Sequence, residues 1–253
     1  MTKVNRSYLG LFFAVVLAMQ MWPQKAHAAA GRNDQEIQQQ AAKVLSTKDK
    51  WKGITSSTED GIVTLEGSVS LYVDKVDAGR KVGKINHADG VRNHVQVEGN
   101  VPDNELQSKL ADKLSYDRIG YGIMFNALSL KVEDGVVTVG GDVRDYPSRD
   151  SALAIVETTS GVKDVIDEIN VLPTSNFDDD LRIRVARAIY GQATMRKYAM
   201  VPQKPIRIIV DNGHITLYGV VDNKMDKQIA ETQARAVSGA FSVENKLVVA
   251  KQK

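Results

Sequence analysis

The chain has 253 residues, 43% hydrophobic and 25% charged, with a formal net charge of +2 and no cysteine. That length has room for more than one small domain, and the lack of cysteine excludes a disulfide framework, a lipid-modified cysteine and thiolate metal chemistry. The near-neutral total hides an uneven distribution. Residues 29–100 carry 10 basic and 10 acidic side chains, residues 101–175 carry 7 and 13 (net −6), and residues 176–253 carry 13 and 8 (net +5). A basic module draws anionic surfaces, and an acidic neighbour either docks against it or repels the same surface.

Residues 1–28 read as an export signal: Lys3 and Arg6 form a basic start, Leu9 to Met19 is apolar, and Ala26-His27-Ala28 places small residues where a signal peptidase reads. Cleavage is expected after Ala28. The apolar stretch is shorter than the roughly 20 residues that span a bilayer, so the expected product is a periplasmic protein, free or peripheral to a membrane.

Past residue 28 the chain repeats itself. Asp60-Gly61-Ile62-Val63-Thr64-Leu65-Glu66-Gly67 returns as Asp134-Gly135-Val136-Val137-Thr138-Val139-Gly140-Gly141 and as Asn212-Gly213-His214-Ile215-Thr216-Leu217-Tyr218-Gly219. The spacing is too long for a solenoid unit of roughly 20 to 50 residues and suits three tandem domains, 29–100, 101–175 and 176–253.

Within each copy the elements follow one order. Asp34, Asp103 and Asp179 precede apolar stripes at helical spacing (Ile37, Ala41, Leu45; Leu106, Leu110, Leu114; Leu181, Val185, Ile189), which predicts a first helix capped by the aspartate. Alternating β-branched runs on either side of Asp-Gly or Asn-Gly predict a hairpin with a two-residue turn. Gly67, Gly141 and Gly219 then mark a bulge or a helix crossing close to the sheet. A second helix follows, over 148–159 and 223–238 in the later copies, with Gly90, Gly161 and Gly239 as its C-cap, and a third strand completes the unit. Two helices and three strands are most economically an α+β sandwich: a three-stranded mixed sheet with both helices on one face.

The run Asp-Gly-x-Val-Thr-Leu-x-Gly, a helix, then Gly-Val resembles the BON domain (bacterial OsmY and nodulation), here in three tandem copies; the third has Gly239-Ala240 in place of Gly-Val. The resemblance implies a periplasmic, non-enzymatic module tied to envelope integrity, osmotic stress and phospholipid contact, with no shared catalytic residue. The residues agree with that. His87, His94 and His214 lie in different elements without metal-ligand spacing, Asp178-Asp179-Asp180 reads as helix-start acids, and neither cofactor nor metal is expected. Export and the acidic middle segment disfavour nucleic acid.

The binding surface is expected in the third copy. Ile183 and Tyr190 stand where the other copies have Gln39 with Ser46 and Ser108 with Ser115. They share an outward helix face flanked by Arg182 and Arg187. Arg196-Lys197-Tyr198 adds an aromatic beside cations, a composition suited to an anionic headgroup zone. These seven residues are the candidate contact for anionic phospholipid or another envelope protein, and the same face would serve equally as an interdomain seam. Small-ligand or cation sensing is a further class, and the oligomeric state is left open. Lys50-Trp51-Lys52 and the group Tyr116, Arg118, Tyr121 and Phe125 are similar connections in the first two copies, where Tyr121 and Phe125 are expected as lids over their own core.

Overall fold

A computed structural model describes residues 25–117, 123–201 and 205–251. Most of the export segment, with Arg118 and Tyr121, lies outside the described residues. The first repeat runs α1 (Lys25–Ser46), β1 (Ile54–Glu59), β2 (Ile62–Val69), α2 (Tyr72–Val82), β3 (Gly90–Asn93) and β4 (Gln96–Val97). The second runs α3 (Asp103–Ser115), β5 (Ala127–Glu133), β6 (Val136–Val143), α4 (Tyr146–Glu157) and β7 (Asp164–Val171). The third runs α5 (Asn176–Tyr190), α6 (Arg196–Met200), β8 (Arg207–Asp211), β9 (His214–Tyr218), β10 (Val220–Val221), α7 (Lys224–Arg235), β11 (Ser242–Asn245) and β12 (Val248–Val249).

In every copy the hairpin is antiparallel and the last strand adds parallel to the middle one, giving a mixed sheet. Alternation decides the faces: Val137 and Val139 point into a core with Leu106, Leu110 and Val156, while Ser129 and Lys131 face outward. The turns place both central residues at positive φ, 50° and 76° at Asp60-Gly61, 53° and 81° at Asp134-Gly135, and 48° and 79° at Asn212-Gly213, the type I′ geometry that suits a twisted two-residue hairpin.

The aspartates expected as helix caps do something else. Asp34 lies inside α1, α3 has Pro102 at its cap with no side-chain bond, and α5 is capped by Ser175. The carboxylates of Asp34, Asp103 and Asp178 instead accept both N–H groups of the hairpin turn, at 3.0 and 2.8 Å, 2.8 and 2.9 Å, and 3.0 and 2.8 Å. In the third copy the clamp is Asp178, not Asp179. One helical turn on, Gln38, Gln107 and Arg182 each donate to a carbonyl of the first hairpin strand, on Ser56, Leu130 and Val210. Helix and hairpin are therefore tied at two points, four residues apart on one helix face.

Two glycine expectations change. At Gly67 and Gly141 a Cβ would sit 2.0 Å from the carbonyl oxygen of Gly53 or Ala127, so the close neighbour is the first strand, not a crossing helix. The second helices end before the expected glycines, at Gly83, Thr158 and Ala236. Strand pairing also realigns the copies: Gly90, Asp164 and Ser242 open the third strand opposite Ile62, Val136 and His214. The counterpart of Gly161 (φ 100°) and Gly239 (φ 92°) is thus His87, itself at φ 67°.

The repeats also meet. Tyr72 of the first packs against the second repeat's core. Between the second and third, Ala127 and Leu172 cover Ile209 on the outer face of the third sheet, and Arg207 donates to the Asn126 carbonyl at 2.8 Å.

Candidate functional site

Each connection from first helix to first strand brings an aromatic residue, and the three copies use it differently. In the first, Trp51 is buried, its indole N–H donates to the Asp74 carbonyl at 3.0 Å, and Lys50 pairs with the Asp74 carboxylate. In the third, Tyr198 is buried, donates to Asp226 Oδ2 at 2.6 Å and accepts from the Asp222 N–H at 2.8 Å, while Lys197 pairs with Asp222 at 2.7 Å and Asp226 at 2.8 Å. Both carboxylates sit in the first turn of the second helix, where negative charge is favoured. Burial would raise the Asp226 pKa, but the hydrogen bonds from Lys197 and Tyr198 outweigh it and hold the carboxyl below its usual range; the bonds to Asp222 and Asp226 raise that of Lys197.

The second copy departs from this plan. Phe125 occupies the place of Trp51, three residues before the strand position that faces Gly67 in the first copy and Gly141 in the second. It is buried, but in the core of the third repeat with Leu181, Ile206 and Ile208. The expectation of a lid over its own core is therefore corrected: Phe125 is a plug handed forward to the next domain. The aromatic-basic composition of the connections marked these residues, but composition carries no information on which core an aromatic enters.

The seven residues expected to form one outward surface in the third copy are divided by the structure. Ile183 is 44% exposed, and Arg187 and Arg196 are exposed. Arg182 is 2% exposed, held by Asp179 at 2.6 Å and the Val210 carbonyl at 2.5 Å. Tyr190 is half-buried against the third core and donates to the Ile206 carbonyl at 2.7 Å; burial pushes its phenol pKa up. Tyr198 is the buried plug just described, and Lys197 is committed to its carboxylates. The reason is geometric. Arg182, one turn beyond the clamp residue Asp178, necessarily faces the hairpin, and Tyr190 lies beside the seam where Phe125 enters.

Apolar exposure gathers elsewhere. Met200 (80%) ends α6 and Val201 follows it, Met225 (64%) lies at the start of α7, and the paired strands β10 and β12 bring Val220 opposite Val248, both exposed. The Lys197 and Tyr198 bonds to Asp222 and Asp226 fasten α6 to the start of α7, so these side chains share one end of the domain with exposed Arg196 and Lys224. At the opposite end Phe177 and Phe241 stack with centroids 6.2 Å apart. Among the described residues no group of three or more histidines and carboxylates could hold a metal, and no helix is long and apolar enough to cross a membrane.

Three αββαβ sandwiches in tandem, each with a type I′ turn and a positive-φ glycine near the end of the second strand, define a chain of small α+β domains. The chain belongs to the BON domain family, which it matches over residues 33–99, 102–173 and 192–251. It is 26% identical over 125 residues to osmotically-inducible protein Y of Escherichia coli (strain K12), an alignment covering 47% of this chain and 60% of that protein. Among solved structures it is similar to the C-terminal domain of CdsD, a structural protein of the type III secretion system of Chlamydia trachomatis (13% identity, 83% of this chain and 96% of that chain, TM-score 0.26). It is also similar to the periplasmic domain of the inner membrane protein PrgH from S. typhimurium (9% identity, 83% of this chain and 100% of that chain, TM-score 0.18). At those TM-scores the structural likenesses carry no argument. The third family match begins after α5, although α5 supplies the clamp Asp178 just as α1 and α3 supply Asp34 and Asp103.

Proposed function

We propose that this chain is a non-enzymatic, exported envelope protein that serves under osmotic stress and docks on anionic phospholipid through the α6–α7 end of its third domain. Family membership and the likeness to osmotically-inducible protein Y support the envelope and osmotic part. The observation that carries the lipid part is the exposed set Met200, Val201, Val220, Met225 and Val248 beside Arg196 and Lys224. Apolar side chains insert at the acyl boundary, and each nearby cation gains about 1 kcal/mol from an anionic surface. Of the seven residues expected from the sequence, Arg196 and Lys197 belong to this end; Ile183 and Arg187 lie along α5.

Flotation of the full chain with anionic and with neutral vesicles tests the reading. Binding should require anionic lipid and weaken as salt rises. The double variant Met200→Ser/Met225→Ser should bind at least fivefold less with an unchanged melting temperature, and Arg196→Gln/Lys224→Gln should lose mainly the salt-sensitive part. Absence of binding to anionic vesicles at low salt would sink the proposal.

A further inference from the structure

Because Phe125 leaves the second domain, no side chain among the described residues takes the place in the second that Trp51 fills in the first. A cleft of about 520 Å³ runs between α3 and β5, floored by Leu114, Leu128 and Leu130, and reaches Ser148. Ser148 is the counterpart of Asp74 and Asp226, each seven residues beyond the positive-φ glycine of its copy, Gly141, Gly67 and Gly219. The matching groove of the first domain, of about 430 Å³ between Leu45 and Ile54, is walled by Trp51 and does not extend to Asp74. The cleft is of ligand-binding size and lies mainly in the domain that carries the −6 charge, with Asp112 and Asp117 in its wall and Arg207 of the third domain at one side.

The geometry points to this cleft as a docking site for a protein partner that presents an aromatic side chain next to a lysine in a short extended or turn segment. The sister repeats show what such a site holds. In both, the plug is a Lys-aromatic pair, Lys50-Trp51 and Lys197-Tyr198, with the ring between the two helices and the ammonium on a carboxylate. In the second domain the ring would enter over Leu114 and Leu128, a donor on it would meet the polar groups of Ser148, and the lysine would find the acidic rim at Asp112. An aromatic anchor in a preformed pocket is the usual centre of binding energy at a protein interface. The inference goes beyond the lipid reading and does not depend on it, since the two surfaces share no residue.

The probe is a hexapeptide with the sequence of residues 48–53, Lys-Asp-Lys-Trp-Lys-Gly, titrated into isotopically labelled full-length protein and followed by amide NMR. Saturable shifts are expected at Leu114, Leu128 and Ser148, with affinity at least tenfold weaker for the peptide carrying serine in place of tryptophan. Ala111→Phe, which fills the cleft from α3, should abolish the shifts without lowering the melting temperature. If that variant fails to fold, the comparison of the two peptides on the wild-type chain decides. Shifts elsewhere, equal binding of the serine peptide, or no saturable shift would each overturn the proposal. So would binding that appears only in Tyr121→Ser, which would make the chain's own tyrosine the occupant.

Discussion

Asp178 is a buried carboxylate that accepts the backbone N–H of Gly213 at 2.8 Å, while its second oxygen takes the N–H of Asn212 at 3.0 Å. A type I′ turn directs both N–H groups to one side, and a carboxylate from the first helical turn satisfies them together. Asp178→Ala leaves two amide donors without their acceptor. Hydrogen bonds to a charged group are worth about 1.5–3 kcal/mol each, so a loss of at least about 2 kcal/mol is expected in the third domain's urea transition. Asp34→Ala and Asp103→Ala, at half-buried clamps, should cost less. Three equal losses would show that burial does not set the size of the effect.

His87 holds a left-handed conformation that glycine takes at Gly161 and Gly239. A residue with a Cβ is disfavoured there by about 1–2 kcal/mol, partly offset by the greater unfolded-state entropy of glycine, roughly 0.5–1 kcal/mol. His87→Gly should therefore raise the first domain's stability by about 0.5–1 kcal/mol in calorimetry. A lower melting temperature would mean that the imidazole makes a contact more valuable than the relieved strain.

Phe125→Ala should be felt in a domain that does not contain it. Removing a buried phenylalanine costs about 3 kcal/mol or more, and its neighbours are Ile206 and Ile208. Hydrogen exchange of β8 and β9 should accelerate, while β6 and β7 keep their protection. Trp51→Ala should act within the first domain alone. Faster exchange confined to β6 in Phe125→Ala would place the ring back over its own sheet.

Tyr72 joins the first and second domains. Its phenol is pushed up to about 12, by burial first and then by the neighbouring Asp164 carboxylate. With the folded value above the ordinary value of about 10, the stabilisation is present below pH 10 and is lost as pH rises through 12. Ultraviolet titration should show Tyr72 among the late-ionising tyrosines, and Tyr72→Phe should remove one phenol from that set. If the late phase is unchanged in Tyr72→Phe, this seam does not bury the hydroxyl.

Much of the fold was legible because its signals are local. Asp134-Gly135 between alternating β-branched runs defines a hairpin from neighbouring residues alone, and Leu106, Leu110 and Leu114 mark a helix face by spacing. Where a side chain's partner lies far along the chain, the sequence was misleading. Asp103 looks like a helix cap because caps are local, yet its partners are 31 and 32 residues away. Gly90 matches Gly161 in sequence because both precede valine, and strand pairing shifts the register by three. At the candidate site, Arg182 and Ile183 are adjacent and equally compatible with an outward face. The helix rotation fixed by Asp178 buries one and exposes the other.

The forward placement of Phe125 also limits how this chain can be cut. A fragment ending near residue 175 would carry an uncovered Phe125, and one starting near 176 would lack a core side chain and bare Ile209. Exchanging the order of the repeats would do both at once. The second and third copies thus fold as a single block, and duplicating or losing either half alone leaves a core side chain without its pocket before any question of binding arises.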